Sequence, residues 1–261
     1  MMTNDPGTLS TLARGLAALE VLADSPRPMS ALELCDALDI RKGAGYQILR
    51  TLKAGGWVVR HSDSSYSLGP TALRIGAKVG DLASPPHEAV EILEALHSEL
   101  DENLYLTLRQ GKSIAIAAHF AGTRAVRVGP LNVGYAQHLH ARATTQCVLA
   151  YLSSGEVDAL LPRELERMTP HTLTDRAGLD RKLAEIRSRG FVTEIEEFSE
   201  GVACSSAPVF GGSGAIVGSI GISVPLHRFR ANQESLIAAA LGGAERISRA
   251  FGYKGPYPLA A

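Results

Sequence analysis

Between Arg41 and Ser62 the chain carries five lysines and arginines and no aspartate or glutamate, although the formal net charge of the whole protein is −1. Spacing gives this local excess a shape. At about 100° per residue, Lys42, Tyr46, Gln47, Arg50 and Lys53 share one face of a helix, and Gly45, Ile48, Leu49 and Leu52 share the opposite, apolar face. Cations on such a face neutralise phosphates and release counterions, while Gln and Arg can pair with base edges in the major groove. The same face would also serve as the solvated side of a protein-interaction module. These residues alone leave both readings open.

Other chemistry is thinly represented. Cys35, Cys147 and Cys204 are odd in number, widely spaced and form no CxxC, which fits reduced thiols in a cytoplasm. His138 and His140 alternate near Cys147, but no second cluster has metal-ligand spacing, so ordinary structural histidines are expected and no metal. Gly212, Gly214 and Gly218 have the wrong interval for a phosphate loop, and no Gly-Lys-Ser/Thr follows. No serine sits in a GxSxG elbow, and Cys204-Ser205-Ser206 has no evident histidine partner. We expect neither an enzyme nor a cofactor. No apolar run approaches the roughly 20 residues of a membrane span. The start "MMTNDPGTLSTL" lacks the basic and apolar regions of a signal peptide.

These residues need elements to position them. The 261 residues are 45% hydrophobic and 20% charged, enough for two domains. Leu9, Leu12, Leu16, Leu19 and Leu22 recur at helical steps up to Asp24, where "DSPRPM" interrupts. Ser30 with Glu33 reads as a capping box for a second helix bearing Leu32, Cys35 and Leu38. The cationic helix spans Arg41 to Ala54 and ends at Gly55 and Gly56. "WVVRH" and "YSLG" flank the turn "SDSS" as a hairpin. Three helices and a hairpin predict a winged helix-turn-helix over residues 1–76, and the second helix of such a pair enters the major groove.

A linker helix is predicted over about 71–82, opening a second domain over 77–261. Val90, Leu93, Leu96 and Leu100 form one helical stripe. Strands are predicted at "LYLTLR", "SIAIAAHF", "AVRV", "FVTEIEEF", "VACSSAPVF" and "AIVGSIGISV". Helices are predicted at "ATTQCVLAYL", "AGLDRKLAEIRSRG" and "NQESLIAAALGGAERISRAFG". The fold class is therefore α+β, a sensor-type sheet with flanking helices.

The segments "RGLAALEVLADSPRPMSALELCDALDI", "ILRTLKAGGWVVR" and "YSLGP" resemble the amino-terminal domain of the IclR family of bacterial transcriptional regulators. "LHARATTQCVLAYL", "LTDRAGLDRKLAEIRSRGFVTEIEEFSEGVACSSAPVF" and "GSIGISVP" follow the family's GAF-like effector domain, with its antiparallel sheet, in order and spacing. The resemblance covers nearly the whole chain. It implies binding to double-stranded operator DNA as a dimer or a tetramer made of dimers, with a small organic acid as effector and no membrane partner. The DNA contacts it implies are Arg41, Lys42, Gly43, Tyr46, Gln47, Arg50 and Lys53. Regulators of this family usually act on adjacent catabolic operons.

The chain departs from the family in instructive places. Arg41-Lys42-Gly43-Ala44 replaces Pro-Lys-Ser-Thr, so two hydroxyls that would cap the helix or touch phosphate are missing, and Gly43 and Gly45 each cost about 1 kcal/mol of helix propensity relative to Ala. Gln47 stands where an Arg is usual, which makes the operator preference this chain's own. By position in the family's pocket, the effector residues are Val126, Gly129, Ala143, Thr144, Glu194, Cys204, Gly221 and Ser223. Gly221 replaces a Ser and is expected to make room, and Glu194 replaces an Asp. Together they favour a ligand larger than a very small keto acid, such as an aromatic acid. Arg142 replaces a small residue: pointing inward it would pair with a carboxylate, and pointing outward it would be a solvated helix charge. Cys204 is a buried small hydrophobe, a ligand contact or, last in order, a redox sensor.

Overall fold

The computed structural model describes residues 9–83, 85–126, 128–129 and 131–258, with 77–83 as backbone only. The chain divides between residues 83 and 84 into two compact units.

In the first unit, α1 (Ser10–Asp24), α2 (Ala31–Ala37) and α3 (Lys42–Ala54) precede a hairpin of β1 (Val58–Arg60) and β2 (Tyr66–Leu68), and α4 (Pro70–Ala83) closes it. The capping box forms as the sequence predicts: Ser30 Oγ accepts from Glu33 N at 3.2 Å, and Glu33 Oε2 accepts from Ser30 N at 2.7 Å. Ala18, Leu22, Leu34, Ile48, Leu49, Val58 and Tyr66 form the core. Each large aliphatic side chain buried there contributes about 1.5–3 kcal/mol. The hairpin is antiparallel, with Val58 opposite Leu68 and Arg60 opposite Tyr66. Met29 bridges to Tyr66 and ties the α1–α2 turn to the wing.

The second unit is built on five antiparallel strands in the order β4-β3-β7-β6-β5. They are β3 (Asn103–Gln110), β4 (Ser113–Phe120), β5 (Val192–Ile195), β6 (Val202–Phe210) and β7 (Ile216–Pro225). The helices are α5 (His87–Leu100), α6 (Ala143–Leu149), α7 (Ser154–Leu160), α8 (Arg176–Arg189) and α9 (Leu226–Ala250). Strand periodicity divides the labour between the two sheet faces. Leu104, Leu106, Ala203, Ala207, Ile220, Ile222 and Val224 pack with α5 and α9 residues such as Leu93, Leu96, Ala240 and Ile247. Val192, Cys204, Phe210 and Ile216 turn the other way and pack with α6 and α8 through Cys147, Val148, Leu183 and Ile186. One sheet face is thus mainly apolar, with Ser205 Oγ donating to Leu236 O of α9 at 3.2 Å, and the other mixes small and polar side chains.

Four details differ from expectation. The predicted strand "AVRV" does not form among its described residues, because its carbonyls bind side chains instead of a ladder: Val126 O accepts from Arg228 Nη1 at 2.8 Å, and Val128 O accepts from Asn103 Nδ2 at 2.8 Å. The α7 helix was not predicted, although Ser153 and Glu156 form a complete capping box at its start. The helix α9 begins before the predicted Asn232, which instead marks a kink at φ −133° and ψ 23°. The division into units falls at the end of α4, later than residue 76, because α4 stays with the winged unit.

Candidate functional site

Helix α3 places its two faces as its spacing dictates. Gly45, Ile48 and Leu49 are buried, and Arg41, Lys42, Gly43, Tyr46, Gln47, Arg50 and Lys53 are all exposed. Tyr46 is 53% exposed, far more than core packing would leave a tyrosine. Arg41 is the N-cap without a side-chain cap hydrogen bond, because a guanidinium has no acceptor to offer the first-turn amides. Gly45 has a purpose that propensity does not show: a Cβ there would stand 2.2 Å from Cys35 Sγ, so α2 and α3 can approach only with glycine at this position. Tyr46, Gln47, Arg50 and Lys53 share a groove with Arg60 and Tyr66 of the wing. Arg60, whose Nη2 donates to Ser64 Oγ at 2.8 Å, is a further cation beside the α3 face, brought there by the wing and not by helical spacing.

The second unit holds a cavity of about 230 Å³ lined by Gly129, Arg142, Ala143, Thr144, Glu194, Cys204 and Ser223, with Tyr105, Val128, Phe198 and others completing its wall. Its floor follows from strand register. Glu194 pairs with Cys204, Cys204 with Ser223, and Ser223 with Asn103, a single row across β5, β6, β7 and β3. Asn103 does not line the cavity but holds the segment beside it, donating to Val128 O and accepting from Gly122 N at 2.8 Å. Tyr105 OH accepts from Leu131 N at 3.3 Å. Neither residue was singled out from sequence, because their partners lie more than a dozen positions away.

Two candidate residues are placed elsewhere. Val126 is 62% exposed and outside the lining, and Val128 supplies the apolar contact instead. Gly221 is buried but also outside the lining. A Cβ on it would meet Thr144 Cγ2 at 2.4 Å, so the room it leaves belongs to Thr144 and not to a ligand.

Arg142 points inward. As the N-cap of α6 it is 4% exposed, and its guanidinium lies 5.0 Å from the Tyr135 ring centroid. Nη1 donates to Tyr135 O at 3.3 Å, while the buried Nε and Nη2 have no hydrogen-bond partner among the described residues. Burial lowers its pKa to about 10, which leaves it cationic near neutrality. Tyr135 OH in turn bonds His138 Nδ1 at 2.7 Å. Glu194 is 3% exposed, and its Oε1 accepts from Glu197 N at 2.6 Å and Phe198 N at 3.2 Å. Burial, and then the neighbouring Glu197 charge, raise its pKa to about 7. Burial also raises the Cys204 thiol well above its ordinary range, so it is a small polarizable wall and not a thiolate.

The histidines near Cys147 have protein partners. His138 Nε2 lies 3.2 Å from Glu166 Oε2, His140 Nε2 lies 2.8 Å from Glu166 O, and Cys147 is fully buried in the α6–α8 core. Among the described residues no group of three or more His, Cys, Asp or Glu could hold a metal ion, and no helix is long and apolar enough to cross a membrane.

An exposed cationic helix beside a wing, with a separate sheet domain enclosing a polar-floored cavity, defines the architecture of a two-domain DNA-binding regulator. Residues 11–62 match the IclR helix-turn-helix domain, and residues 86–249 match the family described as bacterial transcriptional regulator IclR C-terminal. The chain belongs to the IclR family of transcriptional regulators, whose members are not enzymes. It is 28% identical over 249 residues to the glycerol operon regulatory protein of Streptomyces coelicolor, covering 94% of this chain and 97% of that one. The Thermotoga maritima IclR structure superposes with a TM-score of 0.70 at 25% identity, over 94% of this chain and 100% of that one. An IclR homolog from Microbacterium hydrocarbonoxydans, solved in complex with 4-hydroxybenzoate, shares the fold with a TM-score of 0.72 at 17% identity, over 92% and 98% of the two chains.

Proposed function

We infer that this DNA-binding regulator responds to a small carboxylic or aromatic acid bound in the cavity of the second unit, and that it controls an adjacent catabolic operon. The observation that carries the reading is Arg142, a buried guanidinium that lines the cavity with Nε and Nη2 unpartnered. Those two nitrogens form one edge of the fork, the edge that takes a carboxylate in two parallel hydrogen bonds. Leaving them unpaired costs free energy that a bound carboxylate would recover. No ion pair to Arg142 exists among the described residues.

In this reading the protein works in the cytoplasm as a dimer or a tetramer made of dimers. Arg41, Lys42, Gly43, Tyr46, Gln47, Arg50 and Lys53 face operator DNA. Effector binding shifts the relative placement of the winged units of two protomers, and with it the fit to both half-sites. The test is a mobility shift on DNA upstream of the protein's own gene, titrated with small carboxylic and aromatic acids from the neighbouring pathway. Ser223→Ala combined with Cys204→Leu removes a hydroxyl from the cavity floor and fills volume there. This double variant should retain effector-free DNA binding and lose the response. A wild-type response from it would place the effector elsewhere.

A further inference from the structure

The cavity has two poles, and only one is accounted for by a plain carboxylate. Arg142, at the start of α6, is cationic and lies over the Tyr135 ring. Glu194 stands at the β5 end of the floor, where it interacts with Glu197 and Lys182. Cys204 is the cross-strand neighbour of Glu194 on the floor and lines the same cavity as Arg142. Adjacent strands are roughly 4.8 Å apart, so the row from Glu194 to Ser223 is on the order of 10 Å long at the backbone. Arg142 and Glu194 line this one cavity from different elements, the start of α6 and the strand β5.

Glu194 is also only half used. Its Oε1 accepts from two backbone amides, whereas its Oε2 has no protein hydrogen bond among the described residues. Lys182 and Gln146 bond Glu197 instead, so neither supplies a donor to Glu194. The rest of the cavity wall includes the apolar and aromatic side chains of Tyr105, Ile116, Leu131 and Phe198.

Resting on the reading of this cavity as the effector site, we propose that it selects a carboxylate that also carries a hydrogen-bond donor at its far end. The ligand carboxylate pairs with the Nε and Nη2 edge of Arg142, and its hydroxyl or amino group donates to Oε2 of Glu194. A plain carboxylate leaves Oε2 of Glu194 without a donor, or obliges Glu194 to hold a proton beside it.

Calorimetric titration of the full-length protein tests this with two matched series. One is benzoate, phenol and the hydroxy- and aminobenzoates, and the other is butyrate with its 3-hydroxy and 3-amino derivatives. In at least one series a donor-bearing acid should bind wild-type protein roughly tenfold or more tighter than its plain parent. The hydroxy and amino arms identify which donor is preferred. Glu194→Leu should erase that preference while the parent acid still binds, and Arg142→Met should weaken every carboxylate without changing phenol. Equal wild-type affinity for parent and donor-bearing acids would overturn the second pole and leave the effector site standing. Carboxylate binding that ignores Arg142→Met would overturn the first pole. No binding by any member of either series would overturn this proposal and the effector reading together. The wild-type comparison stands even if a variant folds poorly.

Discussion

Gly45 of α3 and Cys35 of α2 approach so closely that a Cβ on the glycine would stand 2.2 Å from the cysteine sulfur. Helix propensity and packing therefore pull in opposite directions at this residue. Alanine would favour the isolated helix by about 1 kcal/mol, while overpacking a close contact costs about 1–3 kcal/mol. Packing should win. Gly45→Ala is expected to destabilise the winged unit by about 1–2 kcal/mol, and adding Cys35→Ala should recover most of the loss. The protein's single tryptophan, Trp57, lies in this unit, so its fluorescence during urea unfolding reports the result. An unchanged midpoint for Gly45→Ala would mean that the helices separate without cost.

The exposed face of α3 makes a second, divided prediction. Arg50 lies in the groove with Gln47 and Tyr46 and is assigned to base reading. Arg50→Ala should cost about 1–3 kcal/mol on the operator and little on unrelated DNA. Lys42 and Lys53 are assigned to phosphates. Each change to Ala should weaken binding on all sequences and lower the slope of log affinity against log salt by about 1. Fluorescence anisotropy on operator and scrambled duplexes over a salt series separates the two roles. A lysine variant that changes sequence preference would reverse the assignment.

The two units were not equally legible in the sequence. The winged unit rests on local signals: the alternation of Ile48 and Leu49 with Arg50 and Lys53, and the Ser30–Glu33 box, need no distant partner. The same logic was available at Ser153 and Glu156, but the helix they cap is only seven residues long and contains Gly155, so periodicity was too short to register. The cavity depends on register between strands far apart in sequence. Glu194, Cys204 and Ser223 were reached through resemblance, whereas Asn103, which completes their row, was not. Position in the family's pocket points to Val126, whereas Val128 lines the cavity, because the described residues of that segment form no strand and have no fixed alternation. The direction of Arg142 is decided by the Tyr135 ring and carbonyl, seven residues upstream, which no helical pattern encodes.

Glu194 yields a prediction about stability whose sign is fixed by the direction of its shift. Burial and the Glu197 charge raise its pKa from 4.5 to about 7. Between those values the unfolded chain has released the proton while the native protein still holds it, so native stability falls as pH rises through that window. Over the full interval the loss is up to about 3 kcal/mol. Glu194→Gln keeps an oxygen for the Glu197 and Phe198 amides and removes the titration. The variant should match wild type near pH 4.5 and be more stable than wild type by about 1–3 kcal/mol near pH 8. Urea unfolding followed by circular dichroism at both pH values gives the difference, and groups titrating alike in both proteins cancel from it. A difference that stays constant across the window would mean that Glu194 holds no proton the unfolded chain lacks. The Glu197 charge would then be outweighed by the two backbone amides and Lys182.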